Sequence, residues 1–143
     1  MMTEREQAAA VARPGKVLIV EDDEYIAELL RYWFQRAGFV TRIVGDGLAA
    51  CSLVEGERPD AILLDLMLPG LDGREVCRLI RHHRDPGIAA TPIIMLTALS
   101  APEEKADGLR LGADLYLTKP YSVREVLTAA ASLMRRQGLL LAN

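Results

Sequence analysis

The chain has 143 residues, the length of one ordinary domain, so a single domain must carry the function. Half of the residues are apolar and 26% are charged, which excludes the low-hydrophobicity, high-charge regime of disorder. Seventeen Lys and Arg against twenty Asp and Glu leave a net charge of -3, the wrong sign for a chain that binds nucleic acid over its whole surface.

Along the chain, short runs of Val, Ile and Leu alternate with longer segments of helical period, the pattern of βαβ units around a parallel sheet. The first run is Val17 to Val20, closed by Glu21, Asp22 and Asp23. A helix is predicted next, capped by Asp23 and carrying Ile26, Leu29, Leu30, Trp33 and Phe34 as one apolar stripe; Trp33 is read as core, and Gly38 ends the helix. A weaker strand, Phe39 to Val44, leads into a short helix with Leu48, Leu53 and Val54, broken by Pro59.

The run Ala61 to Leu64 ends in Asp65 and a loop punctuated by Pro69, Gly70 and Gly73. The helix after it places Val76, Leu79 and Ile80 on one face and stops before Pro86. Within it, Arg78, Arg81 and Arg84 read as a solvated cluster, and His82 and His83 as a polar helix end whose rings diverge. Ile93 to Leu96 is closed by Thr97, Pro102 opens a short fourth helix that Gly112 ends, and Leu115 to Thr118 is closed by Lys119 and Pro120. The last helix carries Val123, Val126, Leu127, Ala130 and Met134, so five strands alternate with five helices.

Two cysteines, Cys51 and Cys77, are too few for a disulfide framework and lack zinc-site spacing; they read as small apolar residues of a reducing compartment. The longest apolar run, Ala8 to Ala12, is far short of the ~20 residues of a membrane span, and the acidic start is unlike a signal peptide. A cytoplasmic chain without membrane contact is expected.

Four of the apolar runs end in a chemically competent side chain: Glu21 and Asp22, Asp65, Thr97, and Lys119. In a doubly wound parallel sheet those ends share one edge, where ligands bind. Like charges about 4 Å apart repel by roughly 4 kcal/mol at an effective dielectric of about 20, so the carboxylates need cationic company. Hard oxygen ligands without His or Cys suit Mg2+, and carboxylates, a lysine and a hydroxyl around that ion form a phosphoryl-transfer constellation with Asp65 as nucleophile. Asp65 could instead cap the next helix, but the loop through Gly73 intervenes.

The segments VLIVEDD (Val17 to Asp23), ILLDLMLPGLDG (Ile62 to Gly73), IIMLTA (Ile93 to Ala98) and GADLYLTKPY (Gly112 to Tyr121) resemble the receiver domain of two-component response regulators. That resemblance implies a flavodoxin-like, doubly wound five-stranded parallel sheet in the order 2-1-3-4-5. It implies that Asp65 accepts a phosphoryl group from a phosphohistidine of a sensor histidine kinase or phosphotransfer protein. Asp22, Asp65 and the backbone carbonyl of Met67 would hold Mg2+ or Mn2+ directly, with Glu21 acting through water. Thr97 and Lys119 would contact the phosphoryl oxygens, and Tyr116 would be the aromatic that turns inward when Thr97 moves. Ala98 matches the small residue that leaves the site accessible, and the Lys119–Pro120 bond is expected to be cis. The downstream target would read the face of the fourth helix, fifth strand and fifth helix.

The implied layout is a mobile extension over residues 1–15, a receiver over 16–136 and a tail over 137–143 too short for an output domain. Such a chain is a phosphoacceptor that catalyses only its own phosphorylation and dephosphorylation, signals by protein contact and does not itself touch nucleic acid. The alternative is the receiver half of a DNA-binding regulator, since the LPGLDG and GADLYLTKP phrasing is similar to the winged-helix class. Leu115 and the LTAAASLM stretch depart from that class where it carries charge for dimerisation, which leaves homodimerisation open and an Ala-rich face for another partner. An Asp-nucleophile phosphatase would want an acid two positions after Asp65, where Met67 stands. A flavin-mononucleotide carrier would want a phosphate loop where EDDE stands.

Overall fold

The computed structural model describes residues 13–139 and 141. Five strands, β1 (Lys16–Val20), β2 (Val40–Val44), β3 (Ala61–Leu64), β4 (Ile93–Thr97) and β5 (Leu115–Thr118), form one parallel sheet in the order β2-β1-β3-β4-β5. This is the flavodoxin-like order expected from the sequence. The central strands are buried on both faces, which is why they read as unbroken apolar runs rather than as alternating ones.

Alternation reappears in what each side chain meets. Val17, Ile19, Ala61, Leu63, Ile94 and Leu96 face α1 (Glu24–Arg36) and α6 (Val123–Arg136), packing on Leu30, Phe34, Val126 and Met134. Leu18, Val20, Ile62, Leu64, Ile93 and Met95 face the other layer, built from α2 (Gly47–Glu57), α3 (Gly73–Arg81), the single turn α4 (Pro86–Ala89) and α5 (Pro102–Arg110). Each fully buried Leu or Ile contributes about 2 kcal/mol, so the two layers hold the sheet rigidly enough to fix the side chains at its edge.

Among the described residues the helices number six rather than five. Asp85 caps Gly87 and Ile88 N–H groups and Pro86 supplies the first-turn residue, so a separate turn forms where a loop was expected, and α3 ends already at Arg81. The helix starts expected at Asp23 and Pro102 are in place, and Gly38 and Gly112 end their helices with positive φ.

Trp33 is not core. It is 42% exposed, as Leu29 is at 38%, because α1 meets the sheet through Ala27, Leu30 and Phe34. The small Ala27 marks the line of close approach, and the apolar stripe is wider than the face that contact covers. Leu48 and Leu79 are exposed for the same reason, and Cys51 is half-buried whereas Cys77 is fully buried; both thiols are free. His82 lies on the Arg78 carbonyl and His83 on Glu55, so the two rings do diverge.

Arg81 is no solvated arginine. Its guanidinium donates to the carbonyls of Gly112 (2.8 Å), Ala89 (3.0 Å) and Thr91 (2.7 Å), and to Asp114 (2.9 Å). Asp114 also accepts from the Ile93 N–H, so one side chain ties α3, α4, β4 and the entry to β5.

Of the extension expected over residues 1–15, residues 1–12 lie outside the described residues. Arg13 forms a bidentate pair with Asp60 and a parallel bridge with Leu141, and Asp60 also accepts from the Lys16 N–H. Of the tail expected over 137–143, positions 140, 142 and 143 lie outside the described residues. No helix among the described residues is long and apolar enough to cross a membrane.

Arg81→Met strands three carbonyls and is expected to cost about 2 kcal/mol in urea unfolding, whereas Arg84→Met, at an exposed position, should stay within about 0.5 kcal/mol of wild type.

Candidate active site

The C-terminal ends of β1, β3, β4 and β5 bring the singled-out side chains to one edge. Register does the placing: Val20 lies opposite Leu64, and the N–H of Asp65 donates to the Val20 carbonyl at 3.0 Å, so Glu21 and Asp65 leave adjacent strands side by side. Both are nearly buried, at 4% and 6% exposure. Asp22 is exposed at the rim, and carboxylate oxygens of Glu21, Asp22 and Asp65 all lie within 4.8 Å of one another.

Lys119 crosses from the end of β5 and places its ammonium between two of them, donating to Glu21 Oε1 at 3.0 Å and Asp65 Oδ2 at 2.9 Å. The other oxygens have fixed roles: Asp65 Oδ1 accepts from the Met67 N–H (3.1 Å) and Glu21 Oε2 from the Asp23 N–H (3.2 Å). A single cation among three carboxylates leaves an excess of two negative charges in a partly dry cleft. Burial pushes the Glu21 carboxyl up, against the opposing pull of the Lys119 hydrogen bond. Burial alone would lower the Lys119 ammonium, but its bonds to Asp65 and Glu21 outweigh that and hold it raised. An acidic excess without His or Cys, offered on oxygen atoms, fits a hard divalent cation.

Thr97 is fully buried; its hydroxyl accepts from the Leu99 N–H at 3.3 Å and its carbonyl from the Lys119 N–H at 2.8 Å. Ala98 beside it is exposed. Met67 is 59% exposed, and the Lys119–Pro120 bond is cis. Tyr116 is buried, with its hydroxyl on the Leu99 carbonyl at 2.7 Å. Gly73 lets α3 begin flush against the loop, because a Cβ there would overlap the backbone of Asp65 and Leu66.

Some neighbours of the site were not singled out in the sequence. Burial, within the field of Lys119, Glu21 and Asp65, pushes the Tyr121 hydroxyl up to about 12. Arg74, at the start of α3, pairs with Glu104 on α5. An aromatic at the end of a KP dipeptide, or an Arg and a Glu thirty positions apart, carries no signal of its own before the fold joins them. A separate cavity of about 430 Å3, lined by Val17, Val40, Leu53 and Pro59 among others, holds none of these groups.

A parallel α/β sheet whose strand ends gather acids, a hydroxyl and a lysine defines the class of doubly wound phosphoryl-transfer domains. The response regulator receiver domain profile matches residues 17–131, and the chain belongs to that family, a receiver domain of two-component systems. It is 43% identical over 120 residues to the sensory transduction protein RegX3 of Mycolicibacterium smegmatis, covering 84% of this chain and 50% of that protein. It is 45% identical over 121 residues to the alkaline phosphatase synthesis transcriptional regulatory protein PhoP of Bacillus subtilis, covering 85% and 49%. The chain thus spans about half the length of these curated relatives. Among solved structures, the receiver domain of the Francisella response regulator 1452 superposes with a TM-score of 0.79 at 36% identity, covering 86% of this chain and 98% of that one. The receiver domain of the Pseudomonas aeruginosa sensor histidine kinase PA1611, which has a magnesium ion coordinated in its active-site cleft, gives 0.78 at 30% identity, covering 86% and 99%.

Lys119→Met should make stability pH-dependent. Without the ammonium the buried Glu21 carboxyl rises further above its unfolded value of about 4.3, so the variant keeps most of its stability near or below that pH and loses it as pH rises through the raised value. Urea midpoints at about pH 5 and about pH 7.5 should diverge from wild type more at the higher pH, by about 1.4 kcal/mol for each tenfold gain in the proton affinity of the carboxyl.

Proposed function

We propose that Asp65 is the phosphoacceptor of this receiver, taking a phosphoryl group from a phosphohistidine of a sensor histidine kinase or phosphotransfer protein. The observation that carries this reading is the nearly buried Asp65 carboxylate sharing the Lys119 ammonium with Glu21, with Asp22 at the rim. A carboxylate oxygen of Asp65 forms the new O–P bond while the N–P bond of the donor breaks, and the imidazole nitrogen keeps the electron pair. Lys119 neutralises charge on the transferred group, and the Thr97 hydroxyl, which accepts from the Leu99 N–H, donates its own proton to a phosphoryl oxygen. Asp22, Asp65 and the Met67 carbonyl would hold Mg2+, with Glu21 acting through water, and the ion when bound would compensate the charge of the carboxylates and the phosphoryl oxygens.

Residues 16–136 form the phosphorylation unit in this reading. Its only catalysis is of its own phosphorylation and dephosphorylation, and its setting is the cytoplasm. The downstream partner reads the face of α5, β5 and α6, which are the fourth helix, fifth strand and fifth helix once the single turn α4 is set aside. A DNA-binding output attached to this receiver is the second reading, favoured by the transcriptional description of PhoP and by the half-length match to it.

Acetyl phosphate with Mg2+ should add one phosphoryl group to the intact protein by mass spectrometry and none to Asp65→Asn; labelling of the variant to the same extent would place the acceptor elsewhere. Mg2+ should also raise the melting temperature through preferential binding to the folded state, and Asp22→Ala should abolish that rise.

A further inference from the structure

Of the chain's four Tyr, two Phe and one Trp, the three that stay exposed all stand on α1: Tyr25 at 77%, Tyr32 at 52% and Trp33 at 42%. With Leu29 and Arg36 they recur three and four positions apart, so they line one outer face, turned away from Ala27, Leu30 and Phe34, which meet the sheet. Part of that face is already built. Tyr32 and Trp33 meet edge to face with ring centroids 5.2 Å apart, and the Arg36 guanidinium lies 5.6 Å and 5.8 Å from the two rings while donating to the Tyr32 hydroxyl at 3.3 Å. Tyr25, about two turns earlier, stands almost wholly in water. One exposed apolar residue is ordinary, but an aromatic face continuous along a rigid helix is the mark of a docking surface.

The charges beside this face select its occupant. Asp22, Asp23, Glu24 and Glu28 crowd the approach and first half of the helix, and Arg31 and Arg36 the second half. Two copies of α1 set antiparallel about a two-fold axis at Leu29 bring the same flank of each helix together with its direction reversed. Tyr25 then lies opposite Trp33 of the other copy, Glu28 beside its Arg31, and Arg36 beside its acidic helix start. Parallel pairing would set like charge on like. Within one copy Glu28 and Arg31 meet only at 3.4 Å and on exposed side chains, a weak contact that leaves both free to be shared across the seam.

We propose that the outer face of α1 is a self-association surface, on which a second copy of this chain docks antiparallel about a two-fold axis near Leu29. Sedimentation equilibrium of the full chain tests it. Wild type should pass from monomer to dimer as concentration rises, and Tyr25→Ala should raise the dissociation constant at least about tenfold while leaving the far-ultraviolet circular dichroism unchanged. Glu28→Arg and Arg31→Glu should each associate more weakly than wild type, because each sets like charges together at both contacts of the seam. An equimolar mixture of those two variants should recover dimer, since every seam contact again joins an Arg to a Glu. A wild type that stays monomeric up to about 1 mM would overturn the proposal and leave the face to a different protein. So would a dimer indifferent to Tyr25→Ala, or a mixture no more associated than its two components.

Discussion

The ammonium of Lys119, held between Glu21 and Asp65, is the interaction on which the rest of this structure depends. Two carboxylates on adjacent strand ends, both nearly out of solvent, would repel strongly in a medium of reduced dielectric. One lysine, arriving from the far side of the sheet, makes that arrangement tolerable without neutralising it. The residual negative charge is what gives the cleft its appetite for a cation and, beyond that, for a group bearing oxygens that the cation and lysine can share. The chain's acidic balance, which at first weighs only against nucleic acid, is in part concentrated here.

The site was legible in the sequence because burial on both faces makes each strand a short apolar run, and the residue that ends such a run is conspicuous when it is Asp, Thr or Lys. Parallel topology then obliges those ends to meet. What was not legible shares a different physics. Trp33 belongs to an apolar stripe, but a stripe does not reveal how far the contact face extends, and the small Ala27 set the line of approach instead. Arg81 looks like its neighbours Arg78 and Arg84 until the fold gathers three backbone carbonyls and Asp114 around it. Gly108 looks like a weak point in a helix until Tyr116 is seen beneath it. Pattern reports which residues avoid water; it does not report which one distant partner each will find.

The face expected to read out the signal also takes on a particular character. Leu115 is half-buried and packs with the layer formed by α1 and α6, together with Leu127, Ala129 and Leu133. The apolar choice packs this part of β5 against the core, while the outer surface of α6 exposes Arg124, Glu125, Thr128, Ser132, Arg135 and Arg136.

The pairing of Arg13 with Leu141, reinforced by Arg13 on Asp60, brings the two ends of the described chain to within a strand spacing of about 4.8 Å. Asp60 precedes β3, whereas Asp65 follows it, so this junction sits at the edge of the sheet opposite the acidic cleft. The domain is in effect a closed loop with its seam on the far side. Cutting the backbone elsewhere and sealing that seam with a short linker would preserve the strand order and the cleft, and anything tethered at either end starts from one shared point.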